Sequence, residues 1–215
     1  MRARFGASGW VMAKRAELRK KPSQARSQVM QQSILSAARE VLRTEGAFGF
    51  TTNKVASEAG ISVGSLYQYY GNKEALLLEL QLEEMEATGA QLTQILEKER
   101  TDPAIRLKKA IAFFFESEFE ERDLRRSLAS LRHIFAEDRR FQEMQSAVAR
   151  SVADFMEKHC SLRGSALADA TEVVITLVSS ISESVTSMEE SSTRIRWWAR
   201  EVASIVSMRY PIQSN

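Results

Sequence analysis

The sequence predicts an all-α protein of about nine helices, with a small N-terminal three-helix domain followed by a larger helical bundle. The first indication is turn chemistry: after Gly71, 144 residues contain two glycines and two prolines, too few for the turns of a sheet. The second is the recurrence of apolar residues at helical spacing in most segments. The third is a composition that is 44% hydrophobic and 27% charged, which is ordinary for a soluble globular protein.

The domain organisation follows from where basic charge and periodicity change along the chain. Residues 1–21 carry many basic residues and no sustained periodicity, so they are expected to form a flexible basic tail. Residues 22–71 are expected to form the N-terminal domain. Residues 72–215 are expected to form the bundle, which begins with a long connecting helix over 72–98.

Capping residues predict the ends of the N-terminal helices. A first helix is expected from about Ser23 to Arg43, with Gly46 just past its end as a left-handed residue. Short helices follow over Thr52–Ala59 and Val63–Tyr70, and Ser62 is placed to cap the second of them.

The bundle helices are predicted from capping residues and apolar spacing. Asp102-Pro103 is a strong start signal, Leu124 to Phe135 and Phe141 to Phe155 mark two further helices, and Ser165 is expected to cap the next. The last helix carries Ile195, Trp198, Val202 and Ile205.

Charge is divided unevenly between the two parts of the chain. Residues 1–73 hold 12 Lys and Arg against 4 Asp and Glu, whereas residues 74–215 hold 18 against 24. A basic front and an acidic remainder predict a module that binds a polyanion, joined to a body with another task. The single cysteine, Cys160, indicates a reducing compartment, and no segment approaches the composition of a membrane span. A cytoplasmic protein with no membrane partner is therefore expected.

Signatures of an enzyme are missing from the sequence. His133, His159 and Cys160 are too few and too scattered for a metal cluster. No Gly-rich phosphate loop, nucleophile elbow or nucleotide fingerprint is present. We therefore expect no catalytic residues, no metal, no cofactor and no enzymatic activity.

Residues 51–73, TTNKVASEAGISVGSLYQYYGNK, have the pattern of a helix-turn-helix. Gly60 lies where the turn needs a positive φ, and Ala56 is small where the second helix must cross closely. Val63, Leu66 and Tyr70 share the inward face of the second helix.

The outward face of this motif suits DNA. Gly64 allows close approach, while Ser65 and Gln68 can bond base edges in a major groove. Hydroxyls, lysines and a helix N-terminus are candidates for phosphate contacts. The candidate DNA-binding residues are Thr51, Thr52, Lys54, Ser62, Gly64, Ser65, Tyr67, Gln68, Tyr69 and Lys73.

The pattern T-T-x-x-V-A-x-x-A-G-I-S-x-G-S-L-Y-x-Y-Y-x-x-K-E-x-L, from Thr51 to Leu76, resembles the TetR family of transcriptional regulators. Tyr69 and Tyr70 depart from it, because members often carry histidine and phenylalanine there. The resemblance implies a homodimer that binds an inverted-repeat operator in double-stranded DNA. It also implies a C-terminal pocket for a small-molecule effector whose binding releases a repressor from DNA.

Candidates for the pocket and the dimer face come from the bundle. Aromatic content with few obvious cations favours an apolar or aromatic effector. The pocket candidates are Phe113, Phe114, His133, Met144 and Phe155. A two-fold DNA site needs two reading domains, and the last two helices are the candidates for pairing them. The dimer candidates are Val174, Val178, Ile181, Trp197, Trp198, Val202 and Ile205.

Other functions stay open from sequence alone. A helical adaptor could use the same basic front to bind a protein or membrane surface, without sequence-selective DNA affinity. An α-helical enzyme is a second rival, for which no nucleophile–base pair can be named. Activation instead of repression is also open, because operator position decides between them.

Overall fold

The computed structural model describes residues 25–129, 135–188 and 191–213. Nine helices make up 84% of this part of the chain, which confirms the all-α prediction. They are α1 (Ala25–Gly49), α2 (Thr52–Glu58), α3 (Val63–Tyr69), α4 (Lys73–Glu97), α5 (Pro103–Glu120), α6 (Arg122–Ala129), α7 (Arg139–His159), α8 (Gly164–Ser187) and α9 (Ser192–Arg209). The predicted basic tail over 1–21 and the pocket candidate His133 lie outside the described residues.

The end of α1 differs from the sequence expectation. Gly46 has the predicted left-handed conformation (φ 66°), but the helical path resumes after this kink and runs to Gly49. The amide of Phe50 then donates to the carbonyl of Gly46 at 3.1 Å. This extra turn brings the Phe50 side chain into the core, where it is fully buried.

The start of α8 also differs. The chain enters this helix through Gly164, whose φ is 57°, and Arg163 holds the N-cap position without a side-chain cap. Ser165 is therefore already inside the first turn, and the prediction that it caps the helix is wrong.

Two apolar clusters stabilise the molecule. The N-terminal cluster contains α1, α2, α3 and the first half of α4, from Leu76 to Leu82. It also takes in residues far along the chain: Leu124 and Leu128 of α6, Phe135, and Phe141 of α7. The C-terminal cluster begins at Leu96 and is formed by α5, α7, α8 and α9.

The N-terminal cluster thus crosses the domain boundary that the sequence suggested near residue 71. Helix α6 packs against α1, and α4 packs against both α1 and α7. Arg39 of α1 adds ion pairs to Glu83, at 2.8 Å, and to Glu84 of α4. Movement in the bundle can therefore reach α1 through α4 and through α6.

Candidate DNA-binding surface and ligand cleft

The helix-turn-helix is formed by α2, a glycine turn and α3. Thr51 caps α2, with its Oγ1 accepting from the Lys54 amide at 3.3 Å. Gly60 takes a φ of 66° in the turn, and the Ile61 amide donates to the Ala56 carbonyl at 2.9 Å. Ala56 is buried beneath this turn, so the backbone comes close where the sequence has a small residue.

Helix α3 has one buried face and one exposed face. Leu66 and Tyr70 are fully buried, and burial raises the pKa of the Tyr70 hydroxyl well above its ordinary value, so it stays protonated. Gly64 and Gln68 lie on the exposed face. Tyr69 is half-buried and packs against the N-terminal cluster, so its ring also supports the core.

Hydroxyl groups are paired across the exposed surface. The Ser62 Oγ caps α3 by accepting from the Ser65 amide at 3.0 Å, and the two serine hydroxyls lie 2.8 Å apart. The hydroxyls of Thr52 and Tyr67 lie 3.1 Å apart and so link α2 to α3. These side chains hold each other in place on the surface that α2 and α3 share.

The two candidate lysines are engaged with α1 and its C-terminal end. Lys54 Nζ donates to Glu45 at 2.8 Å. Lys73 Nζ lies 3.4 Å from the Ala47 carbonyl and 5.6 Å from the centre of the Phe50 ring. These contacts were not predicted from sequence, because nothing in local periodicity places the end of α1 beside α2 and α4.

Two adjoining cavities lie in the bundle. The inner cavity has a volume of about 100 Å³ and the outer one about 810 Å³. Both are bordered by Gly89 and Leu92 of α4, Phe114 of α5 and Val148 of α7, which form the neck between them. The two cavities together are called the ligand cleft, and they are bordered by α4, α5, α6, α7, α8 and α9.

The walls of the inner cavity are apolar because its polar groups bond to each other or to backbone. Thr93 and Ser151 hydroxyls lie 2.8 Å apart, and the Ser179 hydroxyl donates to a carbonyl of its own helix at 2.8 Å. The Cys160 thiol lies 3.7 Å from the Tyr210 carbonyl, and burial raises its pKa, so the thiol stays protonated.

The pocket candidates from sequence fall in different places. Phe155 lines the inner cavity and Phe114 lines both cavities. Phe113 and Met144 are half-buried and border neither, and Met144 packs against the N-terminal cluster. Gly89 was missed, although an isolated glycine within a helix is a signal of close approach. A Cβ there would lie 3.2 Å from Val148 Cγ2.

Residues 34–80, which include the whole helix-turn-helix, match the family described as bacterial regulatory proteins, tetR family. These residues are similar to the N-terminal domain of TetR-family regulators. No curated protein matches it.

Solved structures of TetR-family regulators have the same fold. One from Mesorhizobium loti has a TM-score of 0.70 at 17% identity, covering 87% of this chain and 99% of that one. Another from Haloarcula marismortui has a TM-score of 0.71 at 20% identity, covering 86% and 100%. FadR from Bacillus subtilis, solved with stearoyl-CoA, has a TM-score of 0.65 at 16% identity, covering 81% and 96%. Regulators of this family are not enzymes, in agreement with the sequence prediction.

The dimer candidates differ in exposure. Val174 and Val202 are buried within the chain's own core. Val178, Ile181 and Trp198 are half-buried and pack against the C-terminal cluster. Trp197 stacks edge-on against Trp198, with ring centres 5.1 Å apart. Only Ile205, half exposed, presents a large free apolar surface among these candidates.

Helix α8 is apolar yet mostly uncovered. Its length and its mean hydropathy of 1.3 would suffice for a membrane span, and only 17% of its most apolar 18-residue stretch is buried. This differs from the sequence analysis, which expected no segment with the composition of a membrane span. This is weak support for a span, because a helix that packs on another protein has the same composition.

Proposed function

We propose that this TetR-family protein is a cytoplasmic repressor that binds an inverted-repeat operator as a homodimer and dissociates when a small molecule fills its cleft. The observation that carries the proposal is the exposed face of α3, where Gly64 and Gln68 have no core role. An amide side chain can make two hydrogen bonds to one base edge, and a glycine lets the backbone approach it.

Apolar surface on α8 and α9 supports pairing of two copies. Val173 on α8 and Ile205 on α9 are each 50% exposed, and Met208 is 75% exposed. A symmetric dimer through these helices would present two α3 helices to adjacent major grooves, roughly 34–36 Å apart.

The position of the cleft supports ligand control. Helix α4 runs from the helix-turn-helix to the neck of the cleft, and α6 borders the cleft and packs on α1. A ligand that favours one arrangement of these helices, while DNA favours another, would lower operator affinity.

The proposal is tested by selecting bound fragments from genomic DNA and footprinting them over a range of salt concentrations. A protected inverted repeat is expected, and reporter expression from it should fall when the protein is present. A rise in expression would replace repression with activation. Diffuse binding that only follows salt concentration would contradict a sequence-reading function and favour the adaptor.

Gln68→Ala should weaken operator binding by about 1–3 kcal/mol, the usual cost of losing one bidentate base contact. Binding to unrelated DNA should change little, because Gln68 carries no charge. Gln91→Ala is the matched control, since Gln91 is an exposed glutamine of α4, outside the helix-turn-helix. Equal losses on operator and unrelated DNA would remove Gln68 from base reading.

A further inference from the structure

The two parts of the ligand cleft differ in size in a way that restricts the shape of an occupant. The inner cavity, at about 100 Å³, is smaller than the roughly 150 Å³ cavity that holds a benzene molecule. The outer cavity, at about 810 Å³, is within the roughly 300–1,000 Å³ of small-molecule sites. Most of an occupant must therefore lie in the outer cavity, with a short end through the neck.

Chemistry separates the two parts as well. The inner walls offer apolar side chains, since the Thr93 and Ser151 hydroxyls bond to each other. The inner end of the occupant is therefore apolar, because a polar group there would lose water without gaining a partner.

The carboxylates around the outer cavity already have partners. Glu84 pairs with Arg39 of α1, and Glu118 pairs with Arg125 at 2.5 Å. Glu183 is also partnered. Glu84 and Glu118 are thus neutralised before any ligand arrives.

Two arginines of α6 have no carboxylate within ion-pair distance in the described part of the chain. Arg122 donates to the Phe119 carbonyl at 2.9 Å and lies 4.8 Å from the centre of that residue's ring. Arg126 donates to the Ser187 carbonyl at 3.5 Å. Both line the outer cavity, which therefore offers two guanidinium groups that pair with no carboxylate of the described residues.

We propose that the effector is an anionic amphiphile, whose short apolar end enters the inner cavity and whose anionic head binds Arg122 and Arg126. This deepens the proposed function by naming the class of effector. It also places the head on α6, the helix that packs against α1 of the DNA-binding domain. The sequence analysis favoured an apolar or aromatic effector, because the sequence does not reveal which arginines lack a carboxylate partner.

The test is calorimetric titration of the full chain with matched ten-carbon ligands below their micelle concentrations. Decanoate carries a small anionic head, decanoyl-coenzyme A a phosphorylated nucleotide head, and decyltrimethylammonium a cation. We expect at least one anionic ligand to bind about tenfold or more tightly than the cation. Tighter binding of decanoyl-coenzyme A would indicate a bulky phosphorylated head, and tighter binding of decanoate a free carboxylate.

Substitutions test whether Arg122 and Arg126 bind the anionic head group. The double variant Arg122→Gln and Arg126→Gln should lose the preference for anions, whereas Arg139→Gln should keep it. Arg139 is a suitable control because it lines neither cavity and, within the described residues, its ion-pair partner is Glu143 on the exposed first turn of α7. An unchanged preference in the double variant, or a cation that binds as tightly as the anions, would overturn the proposal.

Chain length tests the apolar end without any variant. Hexanoate should bind less tightly than decanoate if apolar carbons enter the inner cavity, and equal affinities would contradict this. Operator binding is measured separately, without ligand. Failure to bind any operator would refute the proposed function, whereas operator binding without a preference for anions would refute only the effector class.

Discussion

At the level of single residues, Gly60 and Gly64 lie four positions apart but are glycines for different reasons. Gly60 has a φ of 66°, and a Cβ there would have nothing within 4 Å, so only backbone conformation demands glycine. Gly64 is helical and exposed, and a Cβ would lie 3.8 Å from the Ser62 hydroxyl, an ordinary contact. The fold therefore needs the first glycine and does not need the second.

Gly60→Ala should lower the free energy of unfolding by about 1–2 kcal/mol, the cost of a left-handed conformation for a residue with a Cβ. Gly64→Ala should leave it unchanged or raise it by up to about 1 kcal/mol, because alanine favours a helix. Gly64→Ala should nevertheless weaken operator binding, since its methyl group would face the DNA. Urea unfolding and gel-shift titration measure the two effects. A destabilised Gly64→Ala protein would contradict a purely DNA-facing role.

For single residues, the sequence predicted turn, capping and burial roles well, but it did not predict contacts between residues of different helices. The left-handed Gly60, the Ser62 cap and the buried Leu66 follow from spacing within one turn or helix. The pairing of Lys54 with Glu45 depends on how α1 meets α2, which no local pattern encodes. Which candidate residues contact DNA stays a prediction.

At the scale of elements, the C-terminal ends of α4 and α7 meet the first turn of α5 at a buried pair. Arg106 of α5 is 4% exposed and His159 of α7 is 6% exposed. Arg106 donates to the Leu96 carbonyl at the end of α4, at 2.5 Å, and lies 3.0 Å from His159 Nε2. Because arginine can only donate, Nε2 must accept, and the neutral His159 carries its proton on Nδ1.

This pair makes stability depend on pH. Burial and the nearby Arg106 charge lower the pKa of His159 below its ordinary value of about 6.5. As pH falls below that value, the unfolded chain takes up a proton that the folded chain resists, so the free energy of unfolding decreases. Above it, the contribution is fully present.

His159→Gln should flatten the fall in melting temperature between pH 7.5 and 5.5, because glutamine can accept from Arg106 without titrating. His133→Gln is the matched control, since the chain has only these two histidines. Parallel pH profiles for the wild type and His159→Gln would exclude His159 as the responsible group.

The boundaries of elements were predicted where capping chemistry is local. Asn72 and Asp102 cap α4 and α5 through side-chain oxygens that accept from amides two or three residues later. The prediction that Ser165 caps α8 is wrong because the helix begins one residue earlier, at Gly164. A serine that follows a glycine looks the same in the sequence whether it is the cap or already lies in the first turn. The cleft could not be predicted, because its walls come from six helices whose contacts depend on how the whole bundle packs.

At the scale of the whole molecule, the uncovered apolar surface of α8 and α9 should decide the oligomeric state. Exposed apolar patches of this kind mark interaction sites more often than free surface. Val173 and Ile205 are half exposed, and the helices that carry them pack against each other.

Ile205→Glu should convert a dimer into a monomer in analytical ultracentrifugation and should reduce operator affinity at least tenfold, because each half-site would be bound alone. Ile105→Glu is the control, since Ile105 is 48% exposed on α5. A monomeric wild type, or an Ile205→Glu protein that still dimerises, would remove this face as the interface.

The shared N-terminal cluster has a consequence for engineering chimeric regulators. A splice at residue 71 would separate Leu66 and Tyr70 from Leu76, Leu80 and the α6 leucines that complete their core. A transplanted reading domain would then lack part of its interior, and the receiving bundle would expose the complementary apolar surface. A working graft must therefore carry the first half of α4 and the inward face of α6, so the transferable unit is discontinuous in the chain.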